Sequence, residues 1–202
     1  VALDLGVLVS GNGTNLQAIL DAIGRGALDA RVRLVLSNQP EAFALERARN
    51  AGVPALGISH KAHATREAFD EAVLRALREH GVEWVVLAGF MRVLTSGFLR
   101  AWGGRVVNVH PALLPAFPGV NAIRQALSHG VKVTGCTVHF VDEGVDSGPI
   151  IAQRAVPVLD GDDEASLGAR IHAAEHELFV SVLSDIAAGR VAPPRGVPGG
   201  TS

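Results

Sequence analysis

The 202-residue chain has a single cysteine, Cys136, no tyrosine, and aromatic residues at only 4% of positions. One cysteine excludes an internal disulfide and argues for a reducing compartment. Lysine is nearly absent, with only Lys61 and Lys132, and the 18 basic residues stand against 20 acidic ones. A net charge of −2 supplies no electrostatic footprint for nucleic-acid binding. No apolar run approaches the roughly 18 residues that a membrane helix requires. The run Leu5–Val9 is too short, and too soon followed by Gly11 and Asn12, to serve as a signal peptide. What remains is a chain that is 48% hydrophobic, enough for a sizeable core. The expectation is a soluble, cytoplasmic protein with small-molecule partners and neither a nucleic acid nor a membrane among them. Monomer and dimer stay equally open.

Short apolar runs at Leu5–Val9, Val32–Leu36, Val53–Ile58, Trp84–Ala88 and Val106–Val109 alternate with helical patterns. Continuous rather than alternating apolarity marks strands covered on both faces of a parallel sheet. Helices are predicted from Thr14 or Asn15 as cap to Gly24, over Glu41–Ala51, and over Thr65–His80. Beyond His110 the pattern changes. A proline-punctuated loop leads to a short helix at Val120–His129, then to alternation over Cys136–Val141, a strand over Ile150–Val158, and a last helix over Asp163–Ala187. The fold class is therefore α/β, a Rossmann-like doubly wound, mostly parallel sheet with a C-terminal mixed-strand and helix extension. Residues 1–188 read as one domain and 189–202, rich in proline and glycine, as a flexible tail.

Four segments carry polar residues in patterns that chemistry uses. Ser10-Gly11-Asn12-Gly13-Thr14-Asn15 follows the first strand and opens the first helix. Glycines admit close backbone approach and a helix N-terminus offers free N–H groups, so a phosphate is the natural guest. Leu16 stands where the dinucleotide fingerprint needs its third glycine, and no Gly-Lys-Ser/Thr follows for a Walker loop. A tight turn and cap is the competing explanation. Asn108 and His110, two apart on a strand end, point to one side where open α/β sheets place ligands; a capped loop and a satisfied turn histidine would also explain them. The loop Asp142–Pro149 lacks the EF-hand spacing and reads as a carboxylate source or a solvated hairpin-like loop. His172-Ala173-Ala174-Glu175-His176 has the spacing of a zinc motif, but only Glu177 and Asp185 follow as further ligands, so no metal is assigned. Glu175 instead flanks the apolar stripe of Leu167, Ile171, Ala174, Leu178 and Val182, where it can reach a ligand. His60, His63, His80 and His129 read as solvated loop or helix-end residues.

Taken together, these segments resemble the glycinamide ribonucleotide transformylase family, folate-dependent formyltransferases of purine biosynthesis. The resemblance rests on Ser10–Ile19, Ala42–Ala48, Val86–Leu94, Asn108–Pro111 with Leu113–Pro115, and Gly135–Gly148, and spans Leu5–Ala188. It implies formyl transfer from 10-formyltetrahydrofolate, a co-substrate, to the amine of glycinamide ribonucleotide, without a metal. It implies that Asn108, His110 and Asp146 are catalytic. Gly13, Thr14 and Asn15 would hold the substrate phosphate and Glu175 its ribose hydroxyls. Arg66, Met91, Arg92, Val93, Leu94 and the backbone around Val141–Asp146 would line the folate site. Asn121 stands where some relatives carry histidine.

The residue chemistry is compatible with that implication. Amine attack on a formyl carbon makes an oxyanion; Asn108 and His110 can donate to it, and Asp146 can carry the proton. Three other readings are expected to fail. Formyltetrahydrofolate deformylase normally carries an N-terminal regulatory domain, and methionyl-tRNA formyltransferase a basic C-terminal RNA-binding domain. A nucleotide-binding module has no reason to gather the catalytic three.

Overall fold

The structure, a computed structural model, describes residues 2–195. Seven strands form one sheet: β1 (Leu3–Val9), β2 (Ala30–Ser37), β3 (Ala55–Gly57), β4 (Trp84–Leu87), β5 (Val106–His110), β6 (Val133–Phe140) and β7 (Ile150–Pro157). They lie in the order β3-β2-β1-β4-β5-β6-β7. The first five are parallel, and β6 and β7 run antiparallel to their neighbours, as the α/β reading with a mixed C-terminal part expects. Six helices cover the sheet: α1 (Thr14–Gly24), α2 (Phe43–Asn50), α3 (Arg66–Glu79), α4 (Ser96–Trp102), α5 (Ala122–His129) and α6 (Glu164–Ala187).

The continuous apolarity of the parallel strands has the cause inferred for it. In β1, Leu5, Val7 and Val9 pack into a cluster with α1, α2 and α6, while Leu8 faces the opposite cluster built on α3 and α4. Each fully buried leucine or phenylalanine in these layers contributes roughly 1.5–3 kcal/mol. Gly6 packs closely in the same layer: a Cβ there would sit 2.6 Å from Leu77 Cδ2 and force the Leu77 and Val82 side chains to shift.

Several expectations need correction. Helix α1 is capped by Gly13 in a left-handed conformation (φ 80°) with no side-chain cap, not by Thr14 or Asn15. Strand β3 is three residues long because Pro54 has no N–H and the Val53 N–H instead closes α2 on the Ala48 carbonyl. Helix α2 starts two residues later than predicted, after a turn in which the Ala42 N–H bonds to the Gln39 carbonyl. Helix α4 was not expected. Its signals are Thr95, whose side chain accepts the Phe98 N–H, and an apolar face of Phe98, Leu99 and Trp102. Strand β6 begins at Val133, and both its faces are buried: Cys136, Val138 and Phe140 join the α6 cluster, while Thr137 and His139 face polar partners. His60, His63 and His80 are half-buried and hydrogen-bonded rather than solvated. Of the expected flexible tail, residues 196–202 lie outside the described residues.

Among the described residues, no helix is long and apolar enough to cross a membrane.

Candidate active site

The strand order reverses direction between β1 and β4. Ligands of open α/β sheets bind at such a switch point, outside the carboxyl ends of the strands. Three loops meet there: residues 10–15 after β1, 88–95 after β4, and the end of β5 at Asn108–Pro111. They enclose two adjoining clefts.

The first cleft, about 370 Å³, is lined by Ser10–Asn15, Ala88, Gly89, Met91, Val109, Pro111, His172 and Glu175. Gly13, Thr14, Asn15 and Glu175 are thus gathered around one void, as expected of a substrate subsite. The first intrahelical bond of α1 runs from the Gln17 N–H to the Gly13 carbonyl, so the N–H groups of Thr14 and Asn15 remain available to an anion. Among the described residues no arginine or lysine lines the cleft; what it offers an anion is backbone amides, the α1 dipole and the His172 ring. Arg47 braces the loop from outside: Nε and Nη2 donate to the Asn12 carbonyl and side chain at 2.7 and 2.6 Å, and Nη1 to Gln17 Oε1 at 3.2 Å. No spacing or motif in the sequence singles out Arg47.

Gly13 carries the sharpest backbone requirement. A Cβ at this residue would lie 2.6 Å from Ala44 Cβ, in addition to the strain at φ 80°. Gly13→Ala should therefore lose at least about 1–2 kcal/mol of stability and weaken anion binding. At Gly11 a Cβ would meet nothing within 4 Å, so Gly11→Ala should melt near the parent temperature. Equal melting of the two variants would contradict this account of the loop.

Glu175 is 3% exposed, and His172 Nδ1 donates to its Oε2 at 2.8 Å. That hydrogen bond, aided by the charge attraction, holds the His172 ring above the ordinary histidine range. Of the pair with zinc-like spacing, His172 makes this contact, while His176 Nε2 is buried without a hydrogen-bond partner among the described residues. Among the described residues no group of three or more His, Cys, Asp or Glu side chains is placed to hold a metal. The acidic loop after β6 likewise closes on itself, Asp142 Oδ1 accepting from the Gly144 N–H and Ser147 Oγ.

The second cleft, about 560 Å³, shares Gly89, Met91, Val109 and Pro111 with the first. Asn108, His110, Asp146, Arg92, Val93, Leu94, Val141 and Asn121 also line it. Apolar side chains stand open at its rim: Met91 is 74% exposed, Val93 51%, Val120 76% and Val145 58%. Such a rim suits a largely apolar ligand. Arg66 is not in the cavity lining. It lies behind the wall, where Nη2 donates to the Val93 carbonyl at 2.9 Å, and the Arg92 guanidinium stacks over Phe69 at 5.1 Å.

The three residues remote in sequence converge at the junction of the clefts. His110 Nε2 donates to the Phe117 carbonyl at 2.7 Å, and its Nδ1 faces Asp146 Oδ2 at 3.4 Å. Asp146 Oδ2 also accepts the Gly119 N–H at 2.7 Å. Asp146 adopts φ 51°, a left-handed conformation that costs a non-glycine residue on the order of 1–3 kcal/mol and concentrates at functional sites.

His139 is a fourth participant that sequence reasoning missed. It lies directly across the β5–β6 ladder from Asn108. Its Nδ1 is 2.8 Å from the Phe140 carbonyl, which only accepts, so Nδ1 carries the proton and Nε2 is bare. Asn108 Nδ2 donates to that bare nitrogen at 3.3 Å. Burial holds the His139 ring below the ordinary histidine range, against the opposing Phe140 bond and Asp146 charge. A neutral ring forms no ion pair with Asp146 Oδ1, 3.7 Å away; it fixes which way the Asn108 amide faces. The alternation along Cys136–Val141 signalled His139, but the register against β5 was needed to find its partner.

The unfolded chain protonates this histidine near 6.5 while the native one resists. Its contribution to stability is complete above that pH and is lost as pH falls through the lowered native value. His172 acts in the opposite sense, its contribution being lost as pH rises through its raised value. His139→Gln removes only the first. Its stability deficit relative to the parent should shrink between about pH 7.5 and pH 5.5, read from denaturant unfolding. A constant deficit would contradict the burial argument.

The Cys136 thiol is pushed up to about 11, first by burial and then by the charge of Glu175. It is no nucleophile at neutral pH.

Comparisons with known proteins bear on the family and the fold. The formyl transferase family model matches residues 4–183. Phosphoribosylglycinamide formyltransferase of Bacillus subtilis is 42% identical over 180 residues, covering 89% of this chain and 92% of that protein. The Escherichia coli enzyme of the same name is 43% identical over 189 residues, covering 94% and 89%. The trifunctional purine biosynthetic protein adenosine-3 of Drosophila melanogaster is 53% identical over 185 residues, but the match spans only 14% of its length. Among solved structures, glycinamide ribonucleotide transformylase 1 from Symbiobacterium toebii superposes with a TM-score of 0.93 at 51% identity, covering 97% of this chain and 92% of that one.

Proposed function

The chain belongs to the formyl transferase family, and on that premise we propose that it transfers a formyl group from 10-formyltetrahydrofolate to the amine of glycinamide ribonucleotide in purine biosynthesis. One observation carries the reading. Two clefts of different character, an amide-lined anion cradle and an apolar-rimmed cavity, adjoin at Gly89, Met91, Val109 and Pro111, with Asn108, His110 and Asp146 at the junction. The working unit is residues 1–188.

The substrate phosphate binds the N–H groups of Thr14 and Asn15, with Gly13 allowing its approach. The buried Glu175 carboxylate, oriented by His172, accepts hydrogen bonds from the ribose hydroxyls. The donor supplies the formyl carbon and lies in the second cleft, its ring against Met91–Leu94 and Val141. Arg66 acts on that ligand through the loop it braces.

At the junction the amine nitrogen bonds to the formyl carbon, and the carbonyl electron pair moves to oxygen. The Asn108 N–H not engaged by His139 donates to that oxygen, and the His110 ring, held by the Phe117 carbonyl and facing Asp146, lines the cleft beside it. Donors aimed where charge develops are worth more in a site that excludes water. The amine proton passes to Asp146, directly or through a water. Collapse of the tetrahedral carbon breaks its bond to the donor nitrogen, which takes up a proton, leaving the formamide and tetrahydrofolate.

The experiment is an assay of tetrahydrofolate release with and without glycinamide ribonucleotide. Release only when the amine is present supports the transferase. Release without it identifies a hydrolase, and none in either case a binding module; both outcomes overturn the reading.

A further inference from the structure

The β1–β4 ladder ends at the pair Leu8 and Leu87, followed by a last rung from the Ala88 N–H to the Leu8 carbonyl. Beyond it the two chains diverge, one into the anion cradle and the other into the wall of the second cleft. Ser10 crosses this divergence twice. Its backbone N–H donates to the Gly89 carbonyl at 3.1 Å, and its Oγ accepts the Met91 N–H at 2.8 Å. Gly89 reverses the chain between them at φ 75°.

A hydroxyl has one proton to give, and here it goes to Asn38 Oδ1 at 2.6 Å. That leaves the oxygen lone pairs turned toward Met91. Asn38 is itself 2% exposed, with its amide nitrogen 3.3 Å from His60 Nδ1. The side chain that orients Ser10 is therefore buried and held at its far side. Gly89 and Met91, the two residues that Ser10 grips, belong to the lining of both clefts.

We propose that Ser10, oriented by Asn38, is a positioning residue that clamps the Gly89–Met91 turn and so sets how closely the two bound substrates approach each other. This rests on the function proposed above. The anion touches the amides of Thr14 and Asn15, so losing the hydroxyl leaves each substrate its own contacts but loosens the partition between them. Bimolecular transfer between bound groups is steep in geometry, and a displacement on the order of 1 Å can cost about 10²-fold.

Two measurements on the purified chain test the clamp. Ser10→Ala should lower kcat by about 10–100-fold with both KM values within about threefold of the parent, and Ser10→Thr, which keeps the hydroxyl, should restore most of it. Independently of activity, hydrogen exchange at the Met91 amide should quicken by about tenfold in Ser10→Ala, the worth of one lost hydrogen bond, and should also quicken in Asn38→Ala. The clamp is overturned if Ser10→Ala leaves both kcat and Met91 exchange unchanged. It is equally overturned if Ser10→Thr is as impaired as Ser10→Ala. An unaltered chain that transfers no formyl group sinks the functional reading instead, and Met91 exchange then still decides whether the clamp exists.

Discussion

Asn108→Ala should reduce turnover by about 10²–10³-fold, the cost of one preorganised oxyanion donor, while the affinity for the phosphate-bearing substrate stays close to that of the parent. The separation of effects follows from position. Asn108 lines the second cleft and not the anion cradle, so its removal touches the reacting centre and spares the phosphate contacts. Its amide is also held before any substrate arrives, because the bare Nε2 of the neutral His139 takes one of its two N–H groups. A donor already aimed needs no reorganisation when charge develops. Steady-state kinetics with both substrates varied would check this, and near-parental kcat would remove Asn108 from the chemistry.

Asp146→Asn should cost about 10²–10⁴-fold in kcat, the range expected for lost proton transfer. An amide at this position still accepts the Gly119 N–H that Asp146 now accepts at 2.7 Å, so the loop has reason to keep its shape. What disappears is the carboxylate that takes a proton and the negative charge facing His110 Nδ1 at 3.4 Å. The His110 ring lies between two acceptors, the Phe117 carbonyl at Nε2 and Asp146 at Nδ1. Asparagine would leave Nδ1 without its anionic partner. Removing the carboxylate therefore takes away the proton carrier and the anionic partner of the His110 ring together. A variant that kept the parent speed and pH–rate profile would assign the proton to another group.

The parallel sheet was legible because double-sided burial writes continuous apolar runs into β4, into β1 from Leu5 to Val9 and into β2 from Leu34 to Leu36. The convergence of Asn108, His110 and Asp146 was legible only in combination, each segment alone having an ordinary structural explanation. What could not be read depends on neighbours distant in the chain. The role of His139 needs the β5–β6 register, Arg47 needs the packing of α2 against the cradle, and Arg66 reaches the loop after β4 through the Val93 carbonyl rather than through the cavity. Helix α4 escaped notice because seven residues give too little periodicity to separate it from a loop, although Thr95 carried the capping signal. The misplaced cap of α1 has a different origin. Threonine and asparagine are strong N-cap residues, yet the left-handed turn required at Gly13 moved the cap back to the glycine.

The most direct test is a crystal structure of the chain with glycinamide ribonucleotide and a folate analogue that cannot transfer its one-carbon group. The phosphate should lie on the N–H groups of Thr14 and Asn15, the analogue's ring against Met91–Leu94, and the amine within about 3–3.5 Å of the one-carbon centre, beside Asn108 and Asp146. Either ligand bound elsewhere, or the two reacting groups held apart with Asn108 and Asp146 touching neither, would contradict the site described for this chain.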